Sequence, residues 1–416
     1  MTEIKFTTLP SGVRVVTETI PYLDSFSLGL WFDAGTRDEK KSELGISHFV
    51  EHMLFKGTKK RNARMISEAI ESRGGYLNAF TSKENTCYYA RGLTHNLKVT
   101  FDVLMDMVQN PLFRPNEVKK EAGVIIDEIR DLDDNPEEFI FDKFEEIIFK
   151  GSELALPILG TEETVSKFTS EKATAFHRSH YGKNNFLVSV AGNVKHEQVI
   201  ELVEKYLNHS LKKVKKSRKI FEGAGISEEI LEKNVTQVHC ITGCPSFGYD
   251  NDKRWVLNTL SAILGDGSSS RLYQTVREKM GITYQINSFI NLFHETSAFG
   301  VYFSTNEKNL NKVLDAIRKE FNNLIKNPVS PRELNRVKEY LKGNMILGLE
   351  NNSGRMIRLA NSVLYYNKVV TLQDTILAID RITGEDIHRL ATEILNENNL
   401  TRLVIKNSEK NKNIAA

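Results

Sequence analysis

The chain has 416 residues, 40% of them apolar and 26% charged, with a formal charge of +2. That length exceeds one ordinary core and suits two or three domains, and so small a charge gives no support for a nucleic-acid partner, which leaves a clear basic excess. Three cysteines, Cys87, Cys240 and Cys244, lack framework spacing and favour a reducing compartment. No apolar stretch approaches the roughly 20 residues of a membrane span, and the opening MTEIKFTTLPSGVRVV has neither an apolar nor an Arg/Ser-rich leader. The expected product is soluble and cytoplasmic, with no membrane partner.

In chain order, Phe26–Phe32 alternates with period two and predicts a strand. The stretch GISHFVEHMLFKGT follows, with helical periodicity. At 100° per residue Ile46, Phe49, Val50, Met53 and Leu54 form one face, and His48, Glu51, His52 and Phe55 the other. The apolar face anchors the helix, so two imidazoles one turn apart project together and can converge on one ion with Zn–N bonds of roughly 2.0–2.1 Å. Glu51 shares their face and stands where a general base for a water at the metal is needed. Two histidines at helical spacing alone are commonly surface residues. The order H-x-x-E-H, which is the inverzincin signature, outweighs that reading.

A helix ending near Glu71 then gives way to a hairpin over Tyr76–Ala90. After Pro115 an amphipathic helix carries the stripe Val118, Ala122, Ile125 and Ile129. Asp127 and Asp131 point away from it, whereas Glu121 and Glu128 share one flank, about 10 Å apart by helix rise. A catalytic zinc needs a third protein ligand, and these two carboxylates are the candidates. The pattern does not choose between them, nor exclude that both are rim charges. His177 and His180 in FHRSHYG lack a matching glutamate and read as a solvated helix end. His239, Cys240 and Cys244 read as packed strand residues.

The chain also repeats itself. Gly75, Asn110 and Asn184 are echoed in matching local patterns by Gly281, Asn327 and Asn398. The join, where periodicity fails, holds the basic run Lys212, Lys213, Lys215, Lys216, Arg218 and Lys219, which reads as a solvated, flexible tether. The expected organisation is a domain over 1–210 that carries the metal, a linker over 211–227, and a homologous domain over 228–416 without metal ligands. The polar tail from Asn407 is expected to fray. Blocks of strands and helices with hairpins predict an α+β fold: two homologous sandwich-like domains, each a mainly antiparallel sheet with helices on one face.

HFVEH within GISHFVEHMLFKGT, then GGYLNAFTSKENTCYYA and EAGVIIDE, resemble the M16 (pitrilysin-like) zinc metallopeptidases over essentially the whole chain. The resemblance is strongest to the M16B type, the bacterial relatives of the mitochondrial processing peptidase β subunit, whose domains have the LuxS/MPP-like fold. It implies zinc held by His48, His52 and Glu128, with Glu51 as base and Glu121 supporting the site. Asn78, Ala79 and Phe80 would lie on an edge strand that receives substrate as an added strand, and Arg277 and Tyr284 match an Arg/Tyr pair contributed by the second domain. The function so implied is zinc-dependent endopeptidase action on extended or presequence-like peptides, by a homodimer. The alternative is a partner or scaffold subunit of a processing-peptidase-like complex. The long glycine-rich loop of the processing peptidase α subunit is missing.

Overall fold

The computed structural model describes residues 2–208, 211–223 and 225–408. Residues 209, 210 and 224 of the expected join, and the expected tail beyond 408, lie outside that range. The chain forms two compact units, each drawn from three stretches. The first comprises Met1–Asp131, Leu156–Lys219 and Leu347–Val370; the second comprises Leu132–Ala155, Ile220–Ile346 and Thr371–Ala416.

The first unit holds strands β1 (Glu3–Thr8), β2 (Arg14–Thr19), β3 (Ser25–Phe32), β4 (Tyr76–Thr81), β5 (Thr86–Leu93) and β6 (Phe186–Gly192), in the order β1-β2-β6-β3-β5-β4. Among the described residues of this sheet, only β2 and β6 run parallel. The second unit holds β7 (Glu228–Lys233), β8 (Val238–Phe247), β9 (Thr283–Leu292), β10 (Thr296–Thr305) and β11 (Thr401–Asn407), in the order β7-β11-β8-β10-β9. Here β7 and β11 are the parallel pair. The run β2-β6-β3-β5-β4 is therefore reproduced strand for strand, which is the structural counterpart of the sequence echoes.

On one face of the first sheet, Leu28, Leu30 and Phe32 pack against Phe49 and Met53 of helix Ile46–Leu54, Leu104 of helix Leu97–Gln109, Phe176 of helix Ser170–His180 and Val199 of helix His196–Tyr206. The sequence reading leaves the other face open, but Met356, Leu359, Ala360 and Val363 of helix Asn352–Tyr366 cover it, over Val16, Trp31, Cys87 and Leu187. Contact there is close: a Cβ on Gly29 would lie 2.5 Å from the Met356 sulfur. Strand β6, buried along its whole length, has the continuous apolar character of a strand covered on both sides.

The second unit has the same plan. Helices Lys253–Gly265, Leu310–Lys326 and Gly384–Ile394 cover one face of its sheet. Ile140, Phe144 and Ile148 of helix Pro136–Ile148 cover Ile241, Tyr302, Leu403 and Ile405 on the other. Each sheet's second face is thus closed by a helix from the other half of the sequence. The two helices begin at Pro136 and Asn352, 216 positions apart, an offset like that of the sequence echoes. The compact units consequently cut across a simple split of the chain at the join.

Lys212, Lys213, Lys215, Lys216 and Lys219 of the basic run are exposed, as expected of a solvated tether, but Arg218 is not. The Arg218 guanidinium is largely buried and pairs with Asp33 at 3.1 Å and Asp38 at 2.5 Å, while Lys216 meets Asp33 at 2.5 Å. These partners lie some 180 residues away in sequence, so no local pattern announces them. No helix among the described residues is long and apolar enough to cross a membrane.

Candidate metal centre

Helix Ile46–Leu54 starts at Gly45, whose φ of +86° lies in the left-handed region that glycine enters at little cost. Two of its unpaired N–H groups, those of Gly45 and Ser47, donate to the Glu39 carboxylate at 2.7 Å each. Phe49, Val50, Met53 and Leu54 are fully buried, and this fixes the direction in which His48 and His52 project. Their ring centroids lie 4.4 Å apart.

The helix Pro115–Asp134 brings its carboxylates to this face. Glu128 Oε2 lies 3.9 Å from His48 Nε2 and 3.8 Å from His52 Nε2. One nitrogen of each histidine and one Glu128 oxygen all fall within 4.8 Å of one another. With metal–ligand bonds near 2.0–2.1 Å, a tetrahedral set needs ligand atoms about 3.3 Å apart, so Glu128 must close on each histidine by roughly half an ångström. Glu121 instead approaches the far side of His52, its Oε1 at 2.9 Å from Nδ1, while its Oε2 lies 2.6 Å from Lys56 Nζ. The two flank carboxylates that the sequence leaves as alternatives therefore occupy different places: Glu128 beside both histidines, Glu121 behind one of them.

The electrostatics suit a cation. Burial pushes His48 down to about 3, assisted by His52, so its ring is neutral with a lone pair to give. Burial also opposes charge on His52, but the Glu121 hydrogen bond and the Glu128 and Glu51 charges outweigh it and raise the net value. Those carboxylates would favour a metal ion as they favour a proton. Glu121 resists burial and stays low through His52 and Lys56. With Nδ1–H donated to Glu121, His52 would offer Nε2, which faces Glu128, to a metal in place of a proton. Two imidazoles and a carboxylate make up the three protein ligands of a catalytic zinc, whose fourth position belongs to water.

Glu51 lies beside the cluster, 7% exposed, and its Oε2 accepts from the Thr81 hydroxyl at 2.8 Å. Burial raises its pKa. Thr81 ends β4, which is the edge of the first sheet and, among the described residues, pairs with β5 alone. Asn78, Ala79 and Phe80 lie on that edge; Asn78 binds Tyr76 Oη at 2.8 Å, and Phe80 packs edge-on to Trp31 at 5.4 Å. Arg277 and Tyr284 lie in the second unit, where the guanidinium sits 4.6 Å above the Tyr284 ring and bonds its carbonyl. Tyr284 is 76% exposed.

Sequence reasoning passes over three residues here: Glu39, Lys56 and Thr81. Lys56 had a signal, being one helical turn beyond His52, and Thr81 directly follows the edge-strand triplet; nothing local marks Glu39. His177 is a correction. It is buried, with Nε2 2.9 Å from the Val108 carbonyl, and its spacing from Ala173 and Phe176 on the apolar face already carried that signal. His239 is buried and meets the Tyr302 hydroxyl at 2.9 Å, and Cys240 and Cys244 are buried free thiols.

Residues 14–162 match the family model described as Insulinase (Peptidase family M16), and residues 167–341 match the Peptidase M16 inactive domain. An uncharacterized zinc protease of Streptomyces coelicolor is 36% identical over 401 residues, covering 94% of this chain and 87% of that protein. The uncharacterized zinc protease YmxG of Bacillus subtilis is 33% identical over 402 residues, covering 96% and 98%. Among solved structures, a protease from Helicobacter pylori superposes with a TM-score of 0.90 at 22% identity, covering 97% of this chain and 99% of that one.

Proposed function

The chain belongs to peptidase family M16, and on that premise we propose that it is a zinc-dependent endopeptidase hydrolysing extended peptides. The observation that carries the reading is the convergence of His48, His52 and Glu128 within 4.8 Å, with Glu51 on the same helix face. His48, His52 and Glu128 would hold the ion, and Glu121 would keep His52 in the tautomer that binds it. Zinc supplies Lewis-acid polarisation of the scissile carbonyl and eases ionisation of a water.

The chain's own groups do the rest. Glu51 takes a proton from the attacking water and delivers it to the leaving amine. Its burial suits the task, because a raised carboxylate pKa brings acid and base forms nearer to balance. The free edge of β4, through Asn78, Ala79 and Phe80, takes the substrate backbone as an added strand. Such pairing demands an extended segment, so unstructured peptides are the substrate class. The assembly we expect is a homodimer in the cytoplasm.

The test is metal analysis and cleavage of a quenched peptide by wild type, Glu51→Gln and Glu128→Gln. The reading expects one zinc per chain in wild type and in Glu51→Gln, no hydrolysis by Glu51→Gln, and weakened zinc binding by Glu128→Gln. Full activity of Glu51→Gln would remove the base assignment. Undiminished zinc affinity of Glu128→Gln would remove the ligand assignment.

A further inference from the structure

We propose that Thr81 is a positioning residue: its hydroxyl fixes the Glu51 carboxylate for proton transfer and ties that orientation to the edge strand that receives substrate. The inference rests on the reading of Glu51 as the base and goes beyond it.

Among the described residues, Glu51 accepts one hydrogen bond from the protein, that of Thr81 Oγ1 to Oε2 at 2.8 Å. One carboxylate oxygen is therefore held and the other left without a protein donor, which is what a base needs if it must be fixed yet meet a water. A glutamate without that bond would sample several rotamers, and ordering it at each turnover would cost side-chain entropy. Proton transfer requires reach of about 2.6–3.2 Å, a window narrower than one rotamer change.

Thr81 is itself held firmly. It pairs with Thr86 across the β4–β5 hairpin, and the turn between them closes with Ser82 N–H donating to the Asn85 carbonyl at 2.8 Å. Charged groups pin the turn from outside. Arg37 meets the Glu84 carboxylate at 2.7 Å, Arg218 donates to the Glu84 carbonyl at 2.7 Å, and Lys83 Nζ donates to the Leu156 carbonyl at 2.6 Å. The same β4 carries Asn78, Ala79 and Phe80 on its free edge. A substrate that pairs there bears on the strand whose last residue sets the base.

The experiment compares wild type, Thr81→Val, Thr81→Ser and Glu51→Gln in steady-state cleavage of a quenched peptide. Each protein is also measured for zinc per chain, thermal midpoint, and anisotropy of a labelled peptide. The expected result for Thr81→Val is full zinc content, peptide binding and KM within about twofold of wild type, and kcat lower by about 10–100-fold, the usual cost of a misplaced catalytic group. Thr81→Ser restores most of kcat. Wild-type kcat in Thr81→Val, a loss carried by KM, or a loss that Ser does not recover each overturns the proposal. If Thr81→Val has a lowered midpoint, Thr81→Ala against Thr81→Ser decides by the same criteria. An inactive Glu51→Gln beside an unimpaired Thr81→Val overturns this inference alone, whereas an active Glu51→Gln overturns the base reading and this inference with it.

Discussion

Glu121 Oε1 stands 2.9 Å from His52 Nδ1, on the side of the ring away from Glu128. The bond fixes the imidazole tautomer, and Lys56 at 2.6 Å keeps the Glu121 carboxylate charged and aimed. Partners that orient a ligating histidine typically contribute about 10–100-fold in metal affinity. Glu121→Gln is expected to weaken zinc binding by that order in competition with a chelator, and to regain much of its activity at saturating zinc. Unaltered affinity would show that His52 needs no orientation from this side.

Glu39 gives a pH signature. Burial pushes its pKa up to about 8, against the pull of the Ser47 and Gly45 N–H donors. A carboxyl whose folded value lies above its unfolded value binds protons more tightly when folded. Its stabilising contribution is therefore complete below about pH 4.5 and is lost as pH rises toward about 8. The slope from this one group is at most about 1.4 kcal/mol per pH unit. Glu39→Gln loses an acceptor for one helix N–H but cannot ionise. Melting midpoints of both proteins between pH 5 and 9 should show the variant gaining on wild type as pH rises; a constant difference would refute the assignment.

What the sequence disclosed follows from the range of each interaction. His48, Glu51 and His52 are spaced by three and four residues, so helix geometry alone puts them together. The choice between Glu121 and Glu128 depends on how far along its axis a second helix is seated, which is a tertiary quantity, and only family resemblance supplied it. Helix Asn352–Tyr366 announces an apolar stripe through Met356, Leu359, Ala360 and Val363, but a stripe does not say which sheet it covers. The exchange of helices between the two halves was invisible for that reason. Arg218 was misjudged because lysines and arginines in an aperiodic run are solvated by default, and Asp33 and Asp38 lie far off in sequence.

The Arg218 contacts predict an uneven mutational response along the basic run. Removing one member of a buried charge cluster leaves the others uncompensated, at a cost of about 3 kcal/mol. Arg218→Met removes the ion pair of Asp38, which keeps the Gly35 N–H at 3.0 Å, and one of the two ion pairs of Asp33 among the described residues. Lys213→Met, at an exposed position, should stay within about 0.5 kcal/mol of wild type. Urea midpoints of the two variants check this, with limited proteolysis across 211–223 as a second measure. Equal midpoints would return the run to the status of a solvated tether.

Gly35 supplies the most local test of how the hairpin turn is held. Its φ of −156° and ψ of −163° are extended and open to any residue, so backbone strain is not at issue. Space is: a Cβ there would lie 2.3 Å from the Ser82 carbonyl oxygen and 2.6 Å from that of Lys83. Both are backbone atoms of the turn that follows Thr81, so Gly35→Ala must push the turn away, with an overpacking cost of about 1–3 kcal/mol. Displacing the turn moves Thr81 relative to Glu51. Gly35→Ala should therefore lower both the thermal midpoint and kcat while zinc content holds. Because the two changes act on one contact, the kcat losses of Gly35→Ala and Thr81→Val should be markedly less than additive in the double variant. Full additivity would mean that Gly35 acts on catalysis by another route, or on stability alone.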